Sequence, residues 1–226
     1  MNRQTELAAE TAARLIADNH LSWSQARARL ARMLPPGAKM PQSSQIESAL
    51  RSRLYLFEER HADLLRALRA EAADAMRGLR RLGIESWLTG AVLNGCATED
   101  SNIQLECFSD DPKQIEILLF DAGCAWEAVN PMSAPGLHPL EALAWLRPIS
   151  PMSDTARLLP RNRALAVTLD ILPENERRLN PRKCEPDAMQ RPAEAAGRIS
   201  LPGLLELLGD DNAAGADTIC NISHQF

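Results

Sequence analysis

The chain has 226 residues, a formal net charge of −5 and 45% hydrophobic residues, values of an ordinary globular protein long enough to bury a substantial core. The acidic balance argues against general affinity for duplex DNA, and no apolar run approaches the roughly 20 residues that span a bilayer. Residues 1–6 lead into an amphipathic segment rather than an apolar signal core, so a cytoplasmic protein without membrane association is expected.

In chain order, Leu7, Ala8, Ala12, Leu15 and Ile16 recur at helical spacing over residues 5–18. Ser22 and Gln25 fit a capping box that opens a second helix through Met33, stopped by Pro35-Pro36-Gly37. Its Arg27, Arg29 and Arg32 are read as a solvated face, with a nucleic-acid contact as the alternative. Ser44 and Glu47 predict another capping box and a helix through Phe57, with Ile46, Leu50, Leu54 and Phe57 inward. A long stripe of Leu64, Leu65, Leu68, Ala72, Met76, Leu79 and Leu82 then predicts the clearest helix, with Gly83 placed for a left-handed C-cap. Arg77, Arg80 and Arg81 in its last turns suit the negative end of the helix dipole.

Residues 84–89 read as a buried strand ending at Gly90, where the backbone needs freedom. Beyond Gly95 and a polar stretch, Ile103, Leu105 and Cys107 alternate with Asn102, Gln104 and Glu106. A half-buried strand would present those three polar side chains on one face. Ser109-Asp110-Asp111-Pro112 reads as the cap and first turn of a helix carrying Ile115, Ile117, Leu118 and Leu119 to Gly123. Residues 124–129 form a short strand, 130–138 a loop, and 141–147 are ambiguous between strand and helix. Residues 148–163 are expected to be irregular. From Arg163 to Leu172 a strand places Ala166, Thr168 and Asp170 on one face. The charged, proline-containing segment 173–198 is read as a surface-packed arm, with a polyanion contact through Arg177, Arg178, Arg182 and Lys183 as the alternative. Ser200 caps a short helix with Pro202 in its first turn, and the polar tail 210–226 is expected to be mobile.

Cys96, Cys107, Cys124, Cys184 and Cys220 show no C-x-x-C spacing and read as free thiols. His20, His61, His138 and His224 are equally scattered, so no zinc site is expected from spacing.

Gly90, Ala91, Gly95, Ser101 and the triplet Asn102-Ile103-Gln104 resemble the signature of nucleotidyltransferases of the DNA polymerase β-like superfamily. Those proteins carry glycine-serine, a second glycine, then Ser-Asp-hydrophobic-Asp. The resemblance implies a first turn that holds a nucleoside triphosphate and a strand whose two acids bind magnesium with a third carboxylate from another strand. Paired cations about 3.5–4 Å apart need several hard oxygen ligands on one side of one strand. Here Ala91 replaces the turn serine, and Asn102 and Gln104 replace the aspartates. Amides do not offset a dication's charge, so any Mg²⁺ would be weakly held and no metal ligand is assigned. By the same analogy residues 141–147 are taken as a strand, and Asp170 is the candidate third carboxylate. The whole layout, an N-terminal helical region leading into the segment from Leu88 to Ser101, is also similar to that of small bacterial proteins, some of which carry the name of UDP-N-acetylmuramate–alanine ligase. A ligase of that type should show Gly-Lys-Ser/Thr in a glycine-rich loop, and no such tripeptide occurs.

The resemblance thus implies an α+β fold: a nucleotidyltransferase-like mixed sheet with flanking helices over residues 60–173. A helical region, 1–59, precedes it, and an arm, a short helix and a tail, 174–226, follow. The expected function is a catalytically impaired member that binds a nucleotide, through Gly90, Ala91, Gly95, Ser101, Asn102 and Gln104, or binds a partner protein. The first alternative is active transfer of a nucleoside monophosphate from an NTP to a hydroxyl acceptor, with Glu106 and Asp170 as catalytic carboxylates that, joined by Glu99 or Asp100, would have to replace the absent metal ligands. The second is a nucleic-acid-binding regulator that uses the N-terminal helices.

Overall fold

The computed structural model describes residues 3–132, 134–149, 153–159 and 164–209. Four helices open the chain: α1 (Arg3–Ala17), α2 (Trp23–Met33), α3 (Ser43–Phe57) and α4 (His61–Arg81). The α2 cap is the expected one, with Ser22 Oγ accepting from the Gln25 N–H and Gln25 Oε1 from the Ser22 N–H. For α3 the reciprocal bond lies two residues earlier than expected, where Gln45 Oε1 accepts from the Gln42 N–H at 2.8 Å. Phe57 does not turn inward: it is 67% exposed under the Arg53 guanidinium, which is itself tied to Asp18 at 2.6 Å. Alanines let α1 approach its neighbours closely. Ala8, Ala9 and Ala12 pack with Leu30 and Ile46, while Ala13 packs with Leu50, Leu54 and Cys96.

The sheet follows: β1 (Ser86–Thr89), one helical turn α5 (Gly90–Asn94), β2 (Ile103–Phe108), α6 (Pro112–Asp121), β3 (Trp126–Ala128) and β4 (Glu141–Arg147). Then come α7 (Asp154–Leu158), β5 (Leu165–Leu172), β6 (Ile199–Ser200) and a helix over residues 201–209, here α8. The segment expected to be irregular therefore contains α7, capped by Ser153 Oγ. The predicted tail 210–226 lies outside the described residues. Strand order is β3-β4-β5-β2-β1-β6, antiparallel throughout except for the parallel β2–β5 pair. The protein is a mixed α+β fold.

Alternation gives this sheet two unlike faces. Leu88, Ile103, Leu105, Cys107, Leu143, Val167, Leu169 and Ile171 face a core closed by Leu68, Ala72 and Met76 of α4, Leu119 of α6 and Leu204 of α8. The other face carries Trp87, Thr89, Gln104, Glu106, Phe108, Thr168, Asp170 and Leu172, and the arm between β5 and β6 returns across it. The arm does more than wrap the surface: Glu176, Gln190, Glu194 and Ala195 are buried, and β6 pairs with β1 through Trp87–Ser200 and Leu88–Ile199.

Candidate functional site

The parallel register sets Gln104 beside Thr168 and Glu106 beside Asp170, while β1 sets Thr89 beside Gln104 and Trp87 beside Glu106. Neighbouring strands lie about 4.8 Å apart, so the two carboxylates share one small region. Both are withdrawn from solvent, Glu106 at 2% and Asp170 at 5% exposure.

Two arginines from the arm answer that charge. Arg182 Nε lies 3.9 Å from Glu106 Oε1, an ion pair too long for a hydrogen bond, and Arg182 also donates to the Met132 carbonyl at 2.8 Å. The Arg198 guanidinium lies 4.9 Å from the centroid of the Phe108 ring, and its charge also acts on Glu106. Glu106 Oε1, Arg182 Nε and Arg198 Nη1 are all buried without a hydrogen-bond partner. Burial is the largest influence on Glu106 and raises its pKa. Arg182 and Arg198 pull it down, Asp170 pushes it up again, and the balance lies above the usual carboxylate range. This is a face where charges are brought close and left incompletely bonded.

The glycine turn reaches the same region at one end only. Gly90 has φ +69°, and a Cβ there would come within 2.0 Å of Gln104 Oε1. Glycine is thus required both for its backbone and for the close approach of β2. Half-buried Gln104 extends its Nε2 to Met132 Sδ at 3.6 Å. Gly95 belongs to the far end. It is the left-handed cap of α5, φ +84°, and a Cβ would meet Arg51 Cδ at 3.3 Å. There Arg51 Nη1 donates to the Asn94 carbonyl at 3.0 Å and the His61 Nε2 contacts the Gly95 carbonyl at 3.1 Å. The carbonyl end of α5 is therefore held by a guanidinium and an imidazole, the complement its exposed acceptors call for.

Of the other sequence candidates, Ala91 is half-buried and packs on the core, and Ser101 Oγ accepts from the Thr98 N–H at 2.9 Å within its own turn. Asn102 is exposed and precedes β2 rather than lying in it. The polar face thus consists of Gln104, Glu106 and Asp170, joined by Thr89 and Thr168. Sequence reasoning gave Arg182 no role at this site, because it lies many residues beyond β5 and only the return of the arm brings it there. Arg198 was missed for the same reason.

These residues do not fit a pair of magnesium ions. The face offers two carboxylates and an amide where several hard anionic ligands are needed, and a guanidinium already stands 3.9 Å from one of those carboxylates. Among the described residues one group of mixed ligands does come together elsewhere: His20, Glu99 and Asp100. No protein-family model, curated protein or solved structure matches this chain.

Proposed function

We propose that this chain is a catalytically impaired nucleotidyltransferase-type protein that binds a nucleotide, with Arg182 and Arg198 facing the phosphates where active relatives of the superfamily use metal ions. One observation carries the reading. Glu106 and Asp170 are paired in register on adjacent parallel strands, Gly90 touches Gln104 on the same face, and Arg182 is set against Glu106. Of the residues that carry the resemblance, Gly90 and Gln104 share this face with Asp170 while Gly95, Ser101 and Asn102 lie off it, and guanidinium groups stand where the resemblance would call for cations. Guanidinium bonds phosphate oxygens through paired N–H donors and carries its charge at every physiological pH.

Because Glu106 and Asp170 are 2% and 5% exposed, binding on this face requires the arm that carries Arg182 to move as well as Met132. Met132 is 50% exposed, so its displacement costs little buried area. Once Arg182 turns to a phosphate, Glu106 loses an attraction that favours its ionised form, so nucleotide binding and proton uptake at Glu106 are coupled.

Calorimetry with ATP, with and without EDTA, tests the reading. Binding that survives EDTA and weakens about tenfold or more in Arg182→Ala is expected, since one charged hydrogen bond to phosphate is worth about 1.5–3 kcal/mol. Magnesium-dependent release of pyrophosphate, abolished in Asp170→Ala, would replace it with active nucleotidyl transfer. No binding of any of the four common ribonucleoside triphosphates removes the nucleotide and leaves a module that contacts another protein.

A further inference from the structure

We propose that His20, Glu99 and Asp100 form a binding site for a zinc-class dication, at the junction of the N-terminal helices with the turn that precedes β2. His20 sits between α1 and α2, while Glu99 and Asp100 lie between α5 and β2, so folding alone brings an imidazole and two carboxylates together. His20 turns Nδ1 toward both acids, 3.0 Å from Asp100 Oδ2 and 3.7 Å from Glu99 Oε1, and all three ligand atoms lie within 4.8 Å of one another.

These separations fit coordination. Ligands about 2.1 Å from a tetrahedral ion stand about 3.4 Å from each other, between the two distances found. Hydrogen bonding joins His20 to Asp100 alone and leaves Glu99 at ion-pair distance, 3.7 Å. One ion at the centre uses all three groups. One nitrogen with two carboxylate oxygens is a set suited to zinc, cobalt or manganese rather than to calcium or magnesium, which take oxygen. The side chains are 57%, 41% and 45% exposed, so solvent completes the coordination sphere and an ion enters without any movement of the fold.

The site is separate from Glu106 and Asp170, and nothing in its chemistry depends on nucleotide binding. An ion there would fasten the α1–α2 connection to the turn ahead of β2, two points 80 residues apart in the chain. A ligand that binds only the folded chain raises its melting temperature with concentration.

The test is calorimetric titration of the full chain, freed of metal by chelation and kept reduced, with zinc chloride, alongside thermal melts. The expected result is one ion per chain with micromolar or tighter affinity and a melting temperature that rises with zinc. Both effects should be weakened at least about tenfold in affinity by His20→Ala, and again by the double change Glu99→Gln with Asp100→Asn. Cobalt supplies a second readout, a weak visible d–d spectrum without the intense near-ultraviolet band of a thiolate complex. Absence of binding, binding only at millimolar zinc, or binding unchanged in both variants overturns the proposal. So does a thiolate band, which would place the ion on a cysteine.

Discussion

Arg69, 1% exposed in the middle of α4, donates through Nε to the Val92 carbonyl and through Nη2 to the Leu93 carbonyl and to Glu194, the last at 2.6 Å. One guanidinium thus ties the long helix to the carbonyl end of α5 and to the arm. Removing one partner of a buried pair leaves the other charge uncompensated and costs about 3–5 kcal/mol. Arg69→Met should fall at the low end of that range, because Arg191 also holds Glu194, at 3.0 Å. Urea denaturation would check this, and a loss below about 1 kcal/mol would show that the contact is not a fastening point.

Acid should loosen the same junction. The arginine partners and the Arg191 N–H outweigh burial and hold Glu194 below its ordinary pKa of 4.5. Its contribution is therefore present above that value and is lost as pH falls through the lower folded value. In Glu194→Gln the fall in stability below pH 4.5 should be shallower than in the parent, as read by chemical denaturation at a series of pH values.

Glu106 should behave in the opposite sense. Burial raises its pKa above 4.5, so the folded state binds more protons than the unfolded state, and the stabilising effect of protonation is lost as pH rises through the folded value. Glu106→Gln removes that dependence. From pH 4.5 upward the variant should gain stability relative to the parent, and a parent that gains relative to the variant would mean that Arg182 and Arg198 dominate the site.

Gly90→Ala tests the approach of the glycine turn to β2. A methyl at φ +69°, 2.0 Å from Gln104 Oε1, should destabilise by about 1–3 kcal/mol. Shortening the obstacle, in Gly90→Ala with Gln104→Ala, should recover part of that loss and leave the backbone contribution. Thermal melts of the single and double variants separate the two.

Thiol reactivity should divide by depth. Burial pushes both Cys96 and Cys107 up to about 12, whereas Cys184 is exposed. Brief alkylation of the folded chain at pH 8, followed by peptide mapping, should label Cys184 well before either buried thiol. Labelling of Cys96 at the same rate would show that the α3–α5 junction opens readily.

Most of the helices were legible because their signals are local. The Ser22–Gln25 box, the apolar stripe of α4 and Gly83 at φ +82° each lie within a few residues of the feature they specify. The period-2 pattern of β2 likewise put Gln104 and Glu106 on one face and the apolar residues on the other. Ser44 and Glu47 were misread because Gln42 and Gln45 perform the same capping two positions earlier. Phe57 completes an apolar stripe on paper, yet α3 ends there and its ring stays 67% exposed beneath the Arg53 guanidinium instead of entering a core. The arginines set against Glu106 were illegible, since no local pattern tells a cation in an irregular arm which strand it will meet. The adjacent acids Glu99 and Asp100 were legible as candidate ligands, but their meeting with His20, 80 residues away in the chain, was hidden in the same way.

The pairing of Trp87 with Ser200 has a bearing on how the molecule is made. The β1 edge of the sheet can be paired only once the chain has reached Ser200, a long-range contact that must form after the arm has crossed the polar face. The stretch that covers the Glu106 carboxylate is the one that carries Arg182 and Arg198, so the burial that raises the Glu106 pKa and the cations that oppose it come from the same segment of chain.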